Sequence, residues 1–277
     1  MQPRSWLFVP ADSEKKIAKA LDSDADAIIF DLEDSVAPAN KAAARDILKR
    51  LPQRSERPQL WVRVNPIGTE FHRDDLHLMG VADIHGIVLP KAESGADVIE
   101  LAHRTGSIPI HAIVTETAAS LFNLLSYRDP RSPLAAMSWG AEDLSAALGA
   151  SSKYDSDGSL SFTYRLARSL CLAGAAAAGV QPIDGVFADF RDEQGLEAES
   201  QAARREGFTG KLAIHPAQVP VINAAFTPSA DEVRHAEEIV AAFEANPDAG
   251  VLSVGGRMVD RPHVVQARRV LERAARE

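Results

Sequence analysis

At 277 residues, 45% hydrophobic and 25% charged, the chain is long enough for one well-buried domain and has the make-up of an ordinary globular protein. No apolar run approaches the roughly 18 to 20 residues of a membrane-spanning helix, which excludes a bilayer segment of that kind, and no membrane partner is expected. A formal net charge of −9 excludes nucleic acid as a partner, since that binding draws on concentrated basic charge, but leaves room for a small anion in a local basic pocket.

The opening stretch, MQPRSWLFVPADSEKK, passes directly into a strand-like run without the apolar core and small-residue cleavage site of a signal peptide, so a cytoplasmic location is expected. Short β-branched and apolar runs then recur at 5–9 (SWLFV), 27–30 (AIIF), 61–64 (WVRV), 86–89 (GIVL), 110–114 (IHAIV), 136–139 (AMSW), 185–187 (GVF) and 211–214 (KLAI). Between them lie ADSEKKIAKAL, PANKAAARDILKRL, ADVIELAHRT, TAASLFNLLSY, FTYRLARSLCLAGAAAAG and LEAESQAARREG, most with helical spacing behind Ser, Asp, Thr or Pro. The single cysteine, Cys171, falls in the fifth of these segments; no intrachain disulfide is possible, and a buried, inert thiol is expected.

Eight such units predict an α/β fold, either a closed (β/α)8 TIM barrel or an open doubly wound sheet. The distribution of polarity favours the barrel, whose working residues sit beyond the carboxyl ends of its strands. Those positions hold Asp31, Glu33 and Asp34, then Arg63 and Asn65, Lys91, Glu116, Glu142 with Asp143, and His215. An open sheet would use one crevice, and VPADSEK stands where its Gly-rich dinucleotide loop would be. The barrel is expected over residues 1–226. Residues 227–277 add the helical SADEVRHAEEIVAAFEANP, a hairpin in VLSVGGRMV and a last helix from near Pro262 through RRVLERAARE, a C-terminal extension serving as a lid or an oligomer arm.

Glu116 and Asp143 end consecutive predicted strands, so their carboxylates should be neighbours. Side by side they repel unless a cation or proton lies between them, and hard oxygen ligands suit Mg2+ or Mn2+. Otherwise Asp143 caps the helix DLSAALG and Glu116 is an exposed strand end. Arg63, inside the apolar WVRVN, either binds a carboxylate or growing oxyanion at the mouth or pairs with Asp31 or Glu33. Asp31 and Glu33 share a strand face and can hold a metal-bound water, Arg63 or Lys91. Glu33, Asp34 and Glu142 are expected to help bind the substrate. Lys91 admits Schiff-base chemistry, but acidic neighbours would keep it protonated and salt-bridged. His215-Pro216 is either a general base or a positioning turn.

Taken together, RSWLFVPADSEKKIAKAL, IIFDLEDSVAPANKAAAR, WVRVNP, GIVLPKAES, WGAEDLSAALG, GFTGKLAIHPAQVPVINAAFTPS and GGRMVDRPHVVQARRVL resemble the family of citrate lyase beta subunits and malyl-CoA lyases almost end to end. The resemblance implies a carbon–carbon lyase acting on a malyl-, citramalyl- or citryl-CoA thioester, or the reverse condensation of acetyl-CoA with glyoxylate, pyruvate or oxaloacetate. It implies Mg2+ on Glu116 and Asp143, Arg63 on the keto-acid oxygen, and Asp260 carried by the extension into a neighbouring subunit of a homotrimer or hexamer. On the residues alone, Asp260 reads as the N-cap of the helix at Pro262. For the CoA phosphates the candidates are Arg4, Lys15, Lys16, Lys41 and Arg45. Gly255 departs from the acidic residue that many relatives carry before the hairpin glycine. Two alternatives stay open: a CoA-independent metal aldolase of hydroxy keto acids, and a citrate lyase beta subunit that needs an acyl-carrier partner.

Overall fold

The structure, a computed structural model, describes residues 2–51, 58–80 and 82–275, in two compact units, residues 2–223 and residues from 224 onward. Arg276 and Glu277, the end of the predicted last helix, lie outside the described residues.

In the larger unit strands and helices alternate: β1 (Ser5–Pro10), α1 (Glu14–Leu21), β2 (Ala27–Asp31), α2 (Lys41–Leu48), β3 (Gln59–Arg63), α3 (Glu70–Leu76), β4 (Gly86–Leu89) and α4 (Gly95–Thr105). They continue through β5 (Ile110–Val114), β6 (Leu134–Trp139), α5 (Ala141–Leu148), α6 (Phe162–Ala178), β7 (Gln181–Asp184), α7 (Glu193–Glu206), β8 (Gly210–Ala213) and α8 (Gln218–Phe226). Each strand pairs in parallel with the next, and β8 pairs with β1, so the sheet closes into an eight-stranded barrel. Local signals set the helix starts: Ser13 accepts from Lys16 N, Ser94 and Asp97 form a capping box, and Asp192 accepts from Gly195 N.

Side chains alternate across a strand, so one set faces the barrel axis. Trp6, Ala27, Ile29, Trp61, Val88, Ile113, Ala136, Ile183 and Leu212 form that interior cluster, with every strand contributing. The opposite set, including Ile28, Phe30, Val62, Ile87 and Val114, is buried too, as expected for parallel strands covered by helices. The interior alternation in β2 and β3 continues to Asp31 and Arg63. These two charged residues therefore point inward at the carboxyl ends of their strands.

Several elements differ from the sequence expectation. The seventh strand is Gln181–Asp184 rather than 185–187. Its polar ends hide it: Gln181 donates to Pro3 O at 2.7 Å and Asp184 sits in a buried ion network, while Val186 in the expected run is exposed. The expected helix over TAASLFNLLSY is two short 3-10 turns, Ser120–Phe122 and Leu124–Arg128. Its Ser and Thr groups bond locally, Ser120 Oγ to Thr117 O and Ser126 Oγ to Asn123 O, which competes with helical pairing. Helix α3 was not foreseen, because FHRDDL carries too little apolar periodicity.

The smaller unit contains α9 (Ala230–Ala245), the antiparallel hairpin β9 (Val251–Val254) and β10 (Arg257–Asp260), and α10 (Arg261–Ala274). Its own core includes Ile239, Phe243, Val254, Val259 and Val264. Gly255 and Gly256 both take positive φ, 56° and 77°, as a two-residue hairpin turn requires. Among the described residues no helix is long and apolar enough to cross a membrane. Cys171 on α6 is buried, and burial pushes its thiol well above the usual range, so it is inert.

Candidate active site

At the end of β2 the chain turns through Asp31, Leu32, Glu33 and Asp34, and the Asp31 carboxylate organises that turn. It accepts from Glu33 N at 2.9 Å and Ser35 N at 3.0 Å, and from Arg63 Nε and Nη2 at 2.7 Å each. Burial alone would raise its pKa, but the hydrogen bonds and charge of Arg63 outweigh that and hold it below the ordinary carboxylate range. Behind the turn, Lys41 is buried and its Nζ donates to Leu32 O, Glu33 O and Asn65 Oδ1 at 2.7, 2.8 and 2.7 Å. Asn65 in turn donates to Asp75, which pairs with Arg45 at 2.9 Å.

Two cations stand inside this wall. The Arg63 guanidinium, paired with Asp31, also lies 3.0 Å from Glu33 Oε2 and packs over the Phe8 ring at 4.8 Å. Glu33 Oε2 is nevertheless buried without a hydrogen bond, because that contact is close but not aligned. Lys91 Nζ reaches Glu33 Oε1 at 2.5 Å, Asp143 Oδ1 at 3.2 Å and Asp34 Oδ2 at 3.6 Å. Burial would lower the Lys91 pKa, but bonding to Glu33 and the other acids drives it well above its ordinary value, so it stays an ammonium. That state is the opposite of what Schiff-base chemistry needs.

Glu116 and Asp143 flank the same lysine. Lys91 takes a left-handed conformation, φ 52°, and its backbone N–H donates to Glu116 Oε2 at 2.5 Å while its ammonium faces Asp143. Thr115, immediately before Glu116, is also left-handed at φ 67°, an uncommon state for a β-branched residue. Gly140, between β6 and α5, packs against Glu116 so closely that a Cβ there would lie 2.7 Å from Glu116 Cγ. Burial, reinforced by repulsion from Asp143 and Glu33, pushes Glu116 up to about 8 despite the Lys91 hydrogen bond. Asp143 lies in the first turn of α5 and is not its cap, which is Gly140.

These residues fit a divalent cation. Five carboxylates (Asp31, Glu33, Asp34, Glu116 and Asp143) face three cations (Arg63, Lys91 and, from behind, Lys41), leaving two negative charges over when all are ionised. The raised Glu116 carboxyl, buried and repelled by Asp143 and Glu33, marks where positive charge is short. Oxygen-only donors suit Mg2+ or Mn2+. Among the described residues no group of three or more His, Cys, Asp or Glu is arranged to hold a metal ion by itself, so the fit rests on Glu116 and Asp143 as a pair.

The structure places the other sequence candidates, and for Arg4, Lys41, Arg45 and Glu142 the place differs from the one expected. Arg4 precedes β1 and so sits at the amino end of the barrel, opposite the mouth; its side chain pairs with Asp26 at 2.8 Å. Lys41 and Arg45 are held in the interior contacts described above and present no phosphate site. Glu142 turns to Lys153 instead of joining the acidic cluster. Lys15 and Lys16 remain exposed in the first turn of α1, on the mouth side. Asp34 lies at the rim, exposed and near Lys91. His215 forms a turn, its Nδ1 accepting from Ala217 N at 3.2 Å and its ring stacked on Phe190. Asp260, in the smaller unit, ends β10 and caps α10, with His263 Nδ1 2.5 Å from its Oδ1. Sequence reasoning missed Gly140 and the Lys41–Asn65–Asp75 support; the glycine at a strand end directly ahead of an acidic helix start was the available signal.

A family described as HpcH/HpaI aldolase/citrate lyase matches residues 4–216. The chain belongs to the HpcH/HpaI aldolase/citrate lyase family. It is 39% identical over 276 residues to a (3S)-malyl-CoA thioesterase of Cereibacter sphaeroides, covering 98% of this chain and 94% of that protein. To the mitochondrial citramalyl-CoA lyase of Rattus norvegicus it is 32% identical over 291 residues, covering 97% and 85%. The crystal structure of CitE from Mycobacterium tuberculosis in complex with magnesium, acetoacetate and coenzyme A superposes with a TM-score of 0.85 at 38% identity, covering 98% of each chain. The family fold and the barrel described here are thus the same.

Proposed function

We propose that this enzyme is a divalent-metal-dependent carbon–carbon lyase that cleaves a malyl-, citramalyl- or citryl-CoA type thioester to a 2-keto acid and acetyl-CoA, or runs the reverse condensation. What supports this reading is that Glu116 and Asp143 both lie against Lys91, the first on its backbone N–H and the second by its ammonium, with Arg63 joined to the same lysine through Glu33. The relatives support the chemistry: one is a lyase of a CoA thioester, and one holds magnesium, a keto acid and coenzyme A together.

Glu116 and Asp143 would hold the ion, with Glu33 and Asp34 beside it. Bound there, a divalent ion supplies Lewis acidity toward the keto-acid oxygen. Arg63 is fixed by its fork on Asp31, with Nη1 beside Glu33, and from that fixed position its cationic charge would stabilise the charge that grows on that oxygen. Lys91 keeps the acid cluster compact and offers an ammonium to the keto-acid carboxylate. Asp260, following the family resemblance, exchanges the proton at the thioester α-carbon: it removes the proton in condensation and returns it in cleavage. Lys15 and Lys16 are the candidates for the CoA phosphates. The extension acts as lid and oligomer arm in a homotrimer or hexamer, and a cytoplasmic location fits a CoA-dependent reaction.

The test is to incubate the purified chain and Mg2+ with malyl-, citramalyl- and citryl-CoA while following keto acid and free thiol separately. Keto acid released without free thiol is the expected result. Thiol released without keto acid would make it a thioesterase, as its Cereibacter relative is named. Activity appearing only with an added acyl-carrier protein, or only on CoA-free hydroxy keto acids, would identify the other two alternatives.

A further inference from the structure

We propose that Trp139 and its acceptor Asp184 are positioning residues for the metal ligands Glu116 and Asp143, an inference that rests on the metal reading above. Trp139 is the last residue of β6, buried, and its indole Nε1 donates to Asp184 Oδ1 at 2.8 Å at the end of β7. Asp184 cannot yield. Arg168 Nε holds Oδ1 at 2.7 Å, Lys211 Nζ holds Oδ2 at 2.8 Å, and Lys211 is itself anchored to Glu199 at 2.7 Å. Both Asp184 and Lys211 are fully buried, so this network is a rigid support between strands and helices. On the other side Gly185 closes the slot: a Cβ there would lie 3.0 Å from the indole Nε1 and Cε2.

The residue after this clamped indole is Gly140, where an added Cβ would lie 2.7 Å from Glu116 Cγ, and three residues later comes Asp143 in the first turn of α5. One tip therefore sets both ligands. It forms the wall against which Glu116 rests and the origin from which Asp143 projects. Side chains that orient metal ligands without touching the ion commonly control its affinity.

The experiment uses the full chain and Mn2+ titrated calorimetrically, with kcat at saturating metal measured alongside. Trp139→Phe keeps the ring and removes the N–H; Glu199→Gln weakens the same network away from the indole. The expected result is about tenfold weaker Mn2+ binding in Trp139→Phe with kcat at saturating metal retained. Glu199→Gln, which loosens only the outer anchor of Asp184, should lower the thermal midpoint and shift the isotherm distinctly less than Trp139→Phe does. Unchanged Mn2+ affinity in folded Trp139→Phe, or an equal shift in both variants, would overturn the proposal. Should Trp139→Phe not fold, Gly185→Ala, which crowds the indole without removing its donor, must weaken Mn2+ binding in the same direction, and an unshifted isotherm there overturns it equally. A wild-type chain that binds no Mn2+ would overturn the metal reading and this inference with it.

Discussion

Gly140 concentrates the site's geometry in a single atom. A methyl group there would stand 2.7 Å from Glu116 Cγ and 2.9 Å from Oε1, closer than real contacts allow, so Glu116 must move. Gly140→Ala should therefore weaken metal affinity by roughly tenfold or more and lower kcat, read as the Mg2+ dependence of turnover, with little loss of thermal stability. Retained Mg2+ dependence would show that Glu116 has slack. Glu116, Asp143, Arg63 and Glu33 were legible in the sequence because each is a charged residue at or just past a strand end, where barrel geometry aims side chains at one mouth. Arg4 and Lys41 were misread for one reason: a basic residue looks the same whether it faces solvent or a buried carboxylate. Only the pairing with Asp26, and with the carbonyls of the β2 turn, reveals that these charges are already used.

At the scale of elements, β7, β8, α6 and α7 are joined by the Asp184 network, and this gives the fold an acid-sensitive point. Burial would raise Asp184, but Lys211 and Arg168 overcome that and depress it to about 2. The unfolded chain thus binds the proton more readily than the folded one. The stabilisation is complete above the ordinary carboxylate pKa and drains away as pH falls through about 2. Urea midpoints should be flat from pH 6 to about 5 for this group and then decline steadily toward pH 3, and Asp184→Asn should remove that part of the slope. An identical decline in both proteins would assign the acid sensitivity elsewhere. The same strand was the one misplaced from sequence. Gln181 and Asp184 are polar because they serve buried partners, so β7 lacks the apolar run that marked its neighbours, whereas the Gly-Gly hairpin was plain because its turn chemistry is local.

For the whole molecule, eight repeated units made the barrel readable long before any single strand was certain, since closure satisfies every strand edge at once. The role of the smaller unit was readable only by resemblance, because Asp260 is locally an ordinary helix cap. If Asp260 completes a neighbouring subunit's site, mixing inactive Asp260→Asn with inactive Glu116→Gln under subunit exchange should restore roughly a quarter of wild-type activity by random pairing. A mixture that stays inactive despite exchange would place the aspartate outside a shared site. The central claim, that Glu116 and Asp143 hold one divalent ion between them, is tested most directly by titrating Mg2+ calorimetrically into the wild-type chain, Glu116→Gln and Asp143→Asn in the presence of a 2-keto acid. We expect one ion per chain in the wild type and loss of binding in each variant; undiminished binding in either would contradict it.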